Sequence, residues 1–248
     1  MIKSVSEEKR ATSLNSDKPT FLVKTIFFDS AGTLVDVPPY STVWHRIMRD
    51  LGLDVTLHRV EKVVRTADLT YGKRYFSYHG KTQNYWTAYL RLILAKLGIA
   101  GSDQSAIVQE IVRQFQKKAW SSPFPETKGV LSSLKRRGFT LGVITNATDE
   151  VTWRLERVGF GGYFGSVTYS QEARSEKPHP RIFRLALDRM GCKPSQAVHV
   201  GDSYECDVVG ARRIGITPIM VDRYDRHADV DCLRIKDLRE VENCLMRL

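Results

Sequence analysis

Hydrophobic and polar positions divide the chain into two textures. Residues 26–28 form a short apolar run that ends in Asp29 and breaks at Gly32; this reads as a fully buried strand followed by a turn. Beyond Pro38-Pro39 the apolar positions recur with helical spacing. Val43, Trp44, Ile47, Met48 and Leu51 lie on one face of a helix over residues 41–52, which stops at Gly52. The same spacing predicts helices over residues 60–75, 85–97 and 105–120, the second of these stopped by Gly98. Nothing in this region alternates as a strand would. It closes at residues 121–125, Ser-Ser-Pro-Phe-Pro, which read as a linker.

From Pro125 onward the elements alternate. Helices are predicted over residues 127–137, 149–158, 180–190 and 207–214, and buried strands over 139–144, 166–170, 197–200 and 218–221. Strands that alternate with short helices make βαβ units on a parallel sheet. The expected fold is therefore α/β, a Rossmann-like parallel-sheet core built from residues 20–36 and 123–248. Residues 37–122 form an α-helical cap inserted after the first strand, and residues 1–19 a mobile N-terminal tail.

Composition narrows the class. With 248 residues the chain is long enough for a sizeable core, and 42% hydrophobic with 27% charged residues is the balance of a soluble globular protein. No apolar run approaches the length of a membrane span, and the polar leader lacks the apolar stretch of a signal peptide. The four cysteines show no metal-ligand spacing and no disulfide framework, so reduced thiols in a cytoplasm are expected. A net charge of +10 is compatible with nucleic acid or with a phosphorylated small molecule. The basic residues are dispersed without a nucleic-acid motif, so no nucleic-acid partner and no membrane partner are expected, and the oligomeric state is left open.

Three apolar strands end in a polar group: Asp29, Thr145 and Asp202. In a parallel sheet these C-terminal ends share one edge, where side chains distant in sequence converge. Lys177, in Ser175-Glu-Lys-Pro-His179, falls in a loop of the same phase. Each has an ordinary alternative: Asp202 and Ser203 as a helix cap, Thr145-Asn146 as a turn, Lys177 as a solvated lysine. Four such groups in this order at strand ends form a specific combination.

The ordered set resembles the haloacid dehalogenase-like hydrolases, in the branch whose helical cap follows the first motif. The resemblance spans roughly residues 24–223. Its motifs are Asp29-Ser-Ala-Gly-Thr-Leu34, Val143-Ile-Thr-Asn146, Lys177-Pro178 and Val200-Gly-Asp-Ser-Tyr-Glu-Cys-Asp-Val-Val-Gly-Ala211, the last being the most specific. The resemblance implies a Mg²⁺-dependent phosphohydrolase acting on a small phosphorylated metabolite. Asp29 would be the nucleophile, forming an aspartyl-phosphate that splits one hard step into two. Mg²⁺ would be held by Asp29, the Ala31 backbone carbonyl and Asp202, with Asp207 and Ser203 orienting the site behind them. The Thr145 hydroxyl and the Asn146 backbone N–H would grip phosphoryl oxygens, and Lys177 would offset the crowded negative charge.

One position departs from the pattern. The family's phosphatases carry a second aspartate two residues after the nucleophile, and it protonates the leaving alkoxide. Here that residue is Ala31. General acid–base assistance, worth about 10²–10⁴-fold, is missing from that position. Three accounts compete. The first is a phosphohydrolase with a substitute acid, such as Ser30, Glu205 or a cap residue, or with a leaving group that needs none. The second is C–P cleavage as in phosphonoacetaldehyde hydrolases, with Lys73 as a conceivable Schiff-base lysine, or dehalogenation. The third is a non-catalytic binding protein that keeps the fold.

The cap is rich in aromatics. Tyr85, Tyr89, Leu92, Ile93 and Leu97 follow one helical face, which points to a bundle core. A minority of the aromatics, drawn from Trp44, Tyr71, Tyr75, Phe76, Tyr78, Trp86 and Trp120, is left to face the crevice. Arg65, Lys73, Arg74 and Lys81 could meet an anionic substrate or simply be solvated.

Overall fold

The first apolar run forms strand β1 (Thr25–Phe28), with all four residues buried. A computed structural model of the chain describes residues 23–71, 82–99, 104–117, 120–227 and 229–248. After β1 the chain passes through a two-residue strand, β2 (Val35–Asp36), into four helices, α1 (Tyr40–Asp50), α2 (Leu57–Tyr71), α3 (Thr82–Leu97) and α4 (Gln104–Lys117). It returns through β3 (Ser122–Pro123). There follow α5 (Thr127–Arg136), β4 (Thr140–Thr145), α6 (Glu150–Arg157), β5 (Ser166–Tyr169), α7 (Ser170–Ala173) and α8 (Pro180–Met190). Strand β6 (Ala197–Gly201) leads through a π-helical turn (Tyr204–Val209) to α9 (Gly210–Arg212). The described chain closes with β7 (Thr217–Val221), β8 (Leu233–Ile235) and α10 (Val241–Leu245).

All six strands of the main sheet are parallel, in the order β5-β4-β1-β6-β7-β8. Strand β1 is central, with Phe28 level with Val143 of β4 on one side and Val200 of β6 on the other. Both faces are covered, which is why these strands read as continuous apolar runs and not as alternating ones. Ile26, Phe28, Leu141, Val143, Val198 and Val200 pack on one face against Leu131 and Leu134 of α5 and Leu155 of α6. Phe27 and Ile144 pack on the other against Ile182, Phe183 and Leu187 of α8. Each such side chain, fully buried, contributes roughly 1.5–3 kcal/mol. Helices α1 to α4 enclose a separate core that includes Trp44, Ile47, Leu90, Ile93, Ile111 and Phe115. No helix among the described residues is long and apolar enough to cross a membrane.

The structure differs from the sequence expectation in four places. Residues 121–125 are not a plain linker: Val35 and Asp36 pair antiparallel with Pro123 and Ser122. The helix expected from residue 207 begins at Tyr204 as a π-turn, in which Ser203 carbonyl oxygen accepts from both Asp207 N–H and Val208 N–H. Ser170 opens a short helix and does not close the strand before it. The edge strand β8 and helix α10 carried no periodic signal. The last residues of the second expected helix, with Lys73 and Arg74, lie outside the described residues, as do Tyr75, Phe76, Tyr78 and Lys81 and the N-terminal segment.

Asp222 follows β7, and its N–H donates to Ile235 carbonyl oxygen of β8 at 2.8 Å. Its carboxylate accepts from the N–H groups of Arg226 and His227, each at 2.9 Å, and from Arg234 Nη1 at 3.0 Å. Burial alone would raise this carboxyl, but the two backbone donors and Arg234 outweigh it and hold it at about 2, against an ordinary 3.8. A carboxyl whose folded value lies below its unfolded value adds stability above the unfolded value, and that stability is lost as pH falls through the folded one. Asp222→Asn is therefore expected to cost roughly 1–2 kcal/mol at neutral pH. In melting curves the gap between parent and variant should close as pH is lowered from about 4 toward 2; a gap independent of pH would contradict this.

Candidate active site

The strand order reverses at β1, whose successive neighbours β4 and β6 lie on opposite sides. Chains leaving a parallel sheet on either side of such a point open a crevice at the carboxyl ends of the strands. Asp29 follows β1 directly, and its N–H donates to Val200 carbonyl oxygen at 2.8 Å, carrying the ladder one residue further. Thr145 is the last residue of β4 and is buried. Asp202 follows the last residue of β6.

Lys177 joins these strand ends. Its ammonium donates to Asp29 Oδ1 and to Asp207 Oδ1, each at 2.6 Å, and the three side chains are buried. The loop bearing Lys177 is fixed by Asn146. The Asn146 side chain donates to Lys177 carbonyl oxygen at 3.1 Å and accepts from Lys177 N–H at 2.7 Å. Asp207 is fixed in turn: Ser203 N–H donates to its Oδ2 at 3.0 Å, and His199 Nε2 lies 2.8 Å from its Oδ1.

The turn after Asp29 is held from outside. Ser30 carbonyl oxygen accepts from Leu34 N–H at 2.9 Å and Val35 N–H at 3.1 Å. Arg223 donates to the carbonyl oxygens of Gly32 and Thr33, pairs with Glu126 at 2.7 Å and lies 3.5 Å from the Phe124 ring centroid. The loop that carries the candidate nucleophile is thus tied to the segment returning from the four helices. Gly32 has φ +81°, and a Cβ there would overlap the Asp202 carboxylate. Only glycine lets backbone and carboxylate approach so closely.

Asp29, Asp202 and Asp207 each offer an oxygen within 4.8 Å of the other two. With all three carboxylates ionised, one ammonium stands against them, an excess of two negative charges. The electrostatics record that excess. Burial, then the charges of Asp29 and Asp207, push the Asp202 carboxyl up to about 7. Burial raises Asp29 although Lys177 opposes it. Burial would also raise Asp207, but Lys177 and His199 outweigh it and hold Asp207 below the carboxylate range. Burial lowers Lys177, and Asp207 and Asp29 more than reverse this. Hard oxygen donors with two uncompensated charges fit a divalent cation.

A cavity of about 400 Å³ adjoins these strand ends. Ser30, Ala31, Thr145 and Asn146 line it on the sheet side, and Tyr40, Tyr85, Trp86, Phe115 and Trp120 on the helical side.

Residues 23–215 match the family model described as haloacid dehalogenase-like hydrolase. The chain belongs to the haloacid dehalogenase-like hydrolases. Among the relatives of this hydrolase is a glyceraldehyde 3-phosphate phosphatase of Methanothermobacter thermautotrophicus. The two are 32% identical over 215 residues, covering 85% of this chain and 90% of the relative. A phosphoserine phosphatase of Thermus thermophilus is 36% identical over 138 residues, 54% of this chain and 55% of the relative. Among solved structures, a 2-haloacid dehalogenase of Pseudomonas syringae aligns with TM-score 0.70 and 25% identity, over 91% of this chain and 99% of the other.

In this hydrolase the predicted residues Asp29, Lys177 and Asp207 meet in direct contact, and Asp202 stands beside them. The backbone N–H of Ser203 donates to Asp207. The Asn146 side chain, to which no role was given, positions the Lys177 backbone. Sequence reasoning missed His199, which is fully buried in β6; its signal was a lone polar residue inside the run Ala-Val-His-Val. It also missed Arg223, Tyr40, Glu150 and Arg154. Of the cap aromatics, Tyr85, Trp86, Trp44 and Tyr89 belong to the bundle core and Trp120 packs against it; Tyr85, Trp86 and Trp120 also line the cavity. Arg65 is exposed.

Gly52, with φ +78°, offers a control for Gly32, because a Cβ there meets nothing within 4 Å. Both Gly32→Ala and Gly52→Ala pay the left-handed penalty of roughly 1–2 kcal/mol. Gly32→Ala alone is expected to weaken the fit of the three-carboxylate cluster to a divalent cation, by about tenfold or more in affinity, because it displaces Asp202. Calorimetric titration of the two variants checks this; equal affinities would contradict it.

Proposed function

We propose that the chain is a Mg²⁺-dependent phosphohydrolase that acts through an aspartyl-phosphate on Asp29, on a small phosphorylated metabolite. The observation that carries this reading is the cluster of Asp29, Asp202 and Asp207 around one buried lysine, with its excess of two negative charges. Asp29, Asp202 and the Ala31 carbonyl would hold the cation, with Asp207 behind them or among them. When bound, the cation neutralises charge so that a carboxylate can approach a phosphate dianion.

The chain's own residues supply the rest. Asp29 presents a carboxylate oxygen at the strand edge, and Lys177 steadies it and meets the phosphoryl charge. The Thr145 hydroxyl and the Asn146 backbone N–H bind phosphoryl oxygens. Asp207, Ser203 and His199 keep Lys177 and the carboxylates in register. Residues 37–122 act as a cap over the core, closing about the linkers at residues 35–39 and 121–125 to exclude water. The relatives named as phosphatases of glyceraldehyde 3-phosphate and phosphoserine support a small phosphorylated substrate. A cytoplasmic enzyme with neither a nucleic-acid nor a membrane partner completes the reading.

A second reading, dehalogenation, is favoured by Ala31 and by the likeness to a dehalogenase structure. It leaves the carboxylate cluster without a purpose, since it requires the nucleophile and not a cation site. The C–P cleavage reading rests on Lys73, which lies outside the described residues.

Phosphate release with and without Mg²⁺ tests the proposal. Asp29→Asn should abolish metal-dependent turnover. Ala31→Asp should speed alkyl phosphate hydrolysis by about 10²-fold or more, because it restores a proton donor to the leaving alkoxide. Unchanged alkyl rates in that variant would show that Ala31 limits nothing.

A further inference from the structure

The cavity between sheet and helices constrains the leaving group. Its volume, about 400 Å³, is that of a site for a drug-sized ligand and far exceeds what a three-carbon fragment fills. Its helical wall is a continuous aromatic surface. The Tyr40 and Trp86 ring centroids are 5.2 Å apart and those of Trp86 and Phe115 5.4 Å, with Tyr85 and Trp120 completing the wall. Opposite lies Ala31, where a proton donor would stand.

The charged groups point the same way. Among the described lining residues, Asp68, Glu150 and Glu176 carry negative charge, and Arg154 is the single cation. Arg154 is occupied: it pairs with Glu150 at 2.8 Å and lies 5.2 Å from the Phe115 ring centroid. Asp68 accepts from the Tyr89 hydroxyl at 2.6 Å. A leaving group with a charged substituent remote from the scissile oxygen, such as a carboxylate, would meet like charge here and find no unpaired cation among these residues.

We propose that the cavity receives an aromatic leaving group with no charged substituent, so that the preferred substrates are aryl phosphates. This rests on the phosphohydrolase reading of the adjoining site. An aryloxide is a stable anion and departs without an acid, which matches Ala31. A small carboxylate or phosphate would also depart unaided, but it leaves the aromatic wall unused. The reaction balances without a further reagent. Asp29 bonds to phosphorus as the P–O bond to the aryl group breaks, and the aryloxide leaves with the electron pair and takes a proton from solvent. Water then bonds to phosphorus and the P–O bond to Asp29 breaks, returning the carboxylate and releasing hydrogen phosphate. One water is consumed for one aryl alcohol and one phosphate.

The experiment compares 1-naphthyl, phenyl and 4-carboxyphenyl phosphates with acetyl phosphate and glyceraldehyde 3-phosphate, using the full chain with Mg²⁺. The expected order of kcat/KM puts 1-naphthyl phosphate first and 4-carboxyphenyl phosphate below phenyl phosphate. Phe115→Leu should raise KM for 1-naphthyl phosphate relative to that for acetyl phosphate by about three- to tenfold, the worth of one aromatic contact. Tyr40→Leu, at a residue 39% exposed, carries the same test if Phe115→Leu does not fold. Turnover that is lost in Asp29→Asn but is faster on acetyl phosphate or glyceraldehyde 3-phosphate would overturn the aryl assignment and leave the phosphohydrolase standing. An unchanged KM ratio in both variants would also overturn the assignment. Absence of turnover on every ester would overturn both.

Discussion

A buried ammonium shared by two carboxylates holds the crevice together. Lys177 sits between Asp29 and Asp207 with almost no access to water. Removing ions from water costs several kcal/mol for each, which only close pairing and further hydrogen bonds repay. Three neighbouring residues serve that end. Asn146 grips the backbone of Lys177, while Ser203 and His199 share the oxygens of Asp207. The arrangement still leaves two negative charges uncompensated, and the Asp202 carboxyl, pushed up toward neutrality, is where that imbalance surfaces. A site so charged stores an affinity for cations in its ground state.

The sheet makes this possible. Asp29, Asp202 and Lys177 come from segments more than a hundred residues apart in some pairs, yet each follows a strand or crossover reaching the same edge. Parallel strands buried on both faces permit little slippage, because Phe27 and Phe28 belong to different cores and a shift of one residue would exchange them. The register of β1 between β4 and β6 is therefore also the register of the chemistry.

Much of this was legible in the sequence, for definite physical reasons. Buried parallel strands are short apolar runs, and the helices between them carry one apolar stripe, so α5, α6 and α8 could be bounded to within about two residues. Asp29, Thr145 and Asp202 stood out because a polar group ends each run. What stayed hidden has local causes too. Strand β8 has three residues on the sheet edge, too few for a period. The β2–β3 pair is formed by residues far apart in sequence and includes Pro123, a residue that argues against a strand. His199 was absorbed into the run around it, and Arg223 acts through backbone carbonyls, which no side-chain pattern announces.

The β2–β3 pair has a consequence for the architecture of the chain. The peptide leaves for the helical insertion and returns from it along two strands that hydrogen-bond to each other. The insertion thus begins and ends at one place, and the core beneath is already closed on its own sheet. In such a plan the helices are an excursion from a hairpin stem. A tight turn joining Asp36 to Ser122 would leave every strand of the main sheet with its neighbours, which makes the helical layer the interchangeable part and the sheet the fixed one.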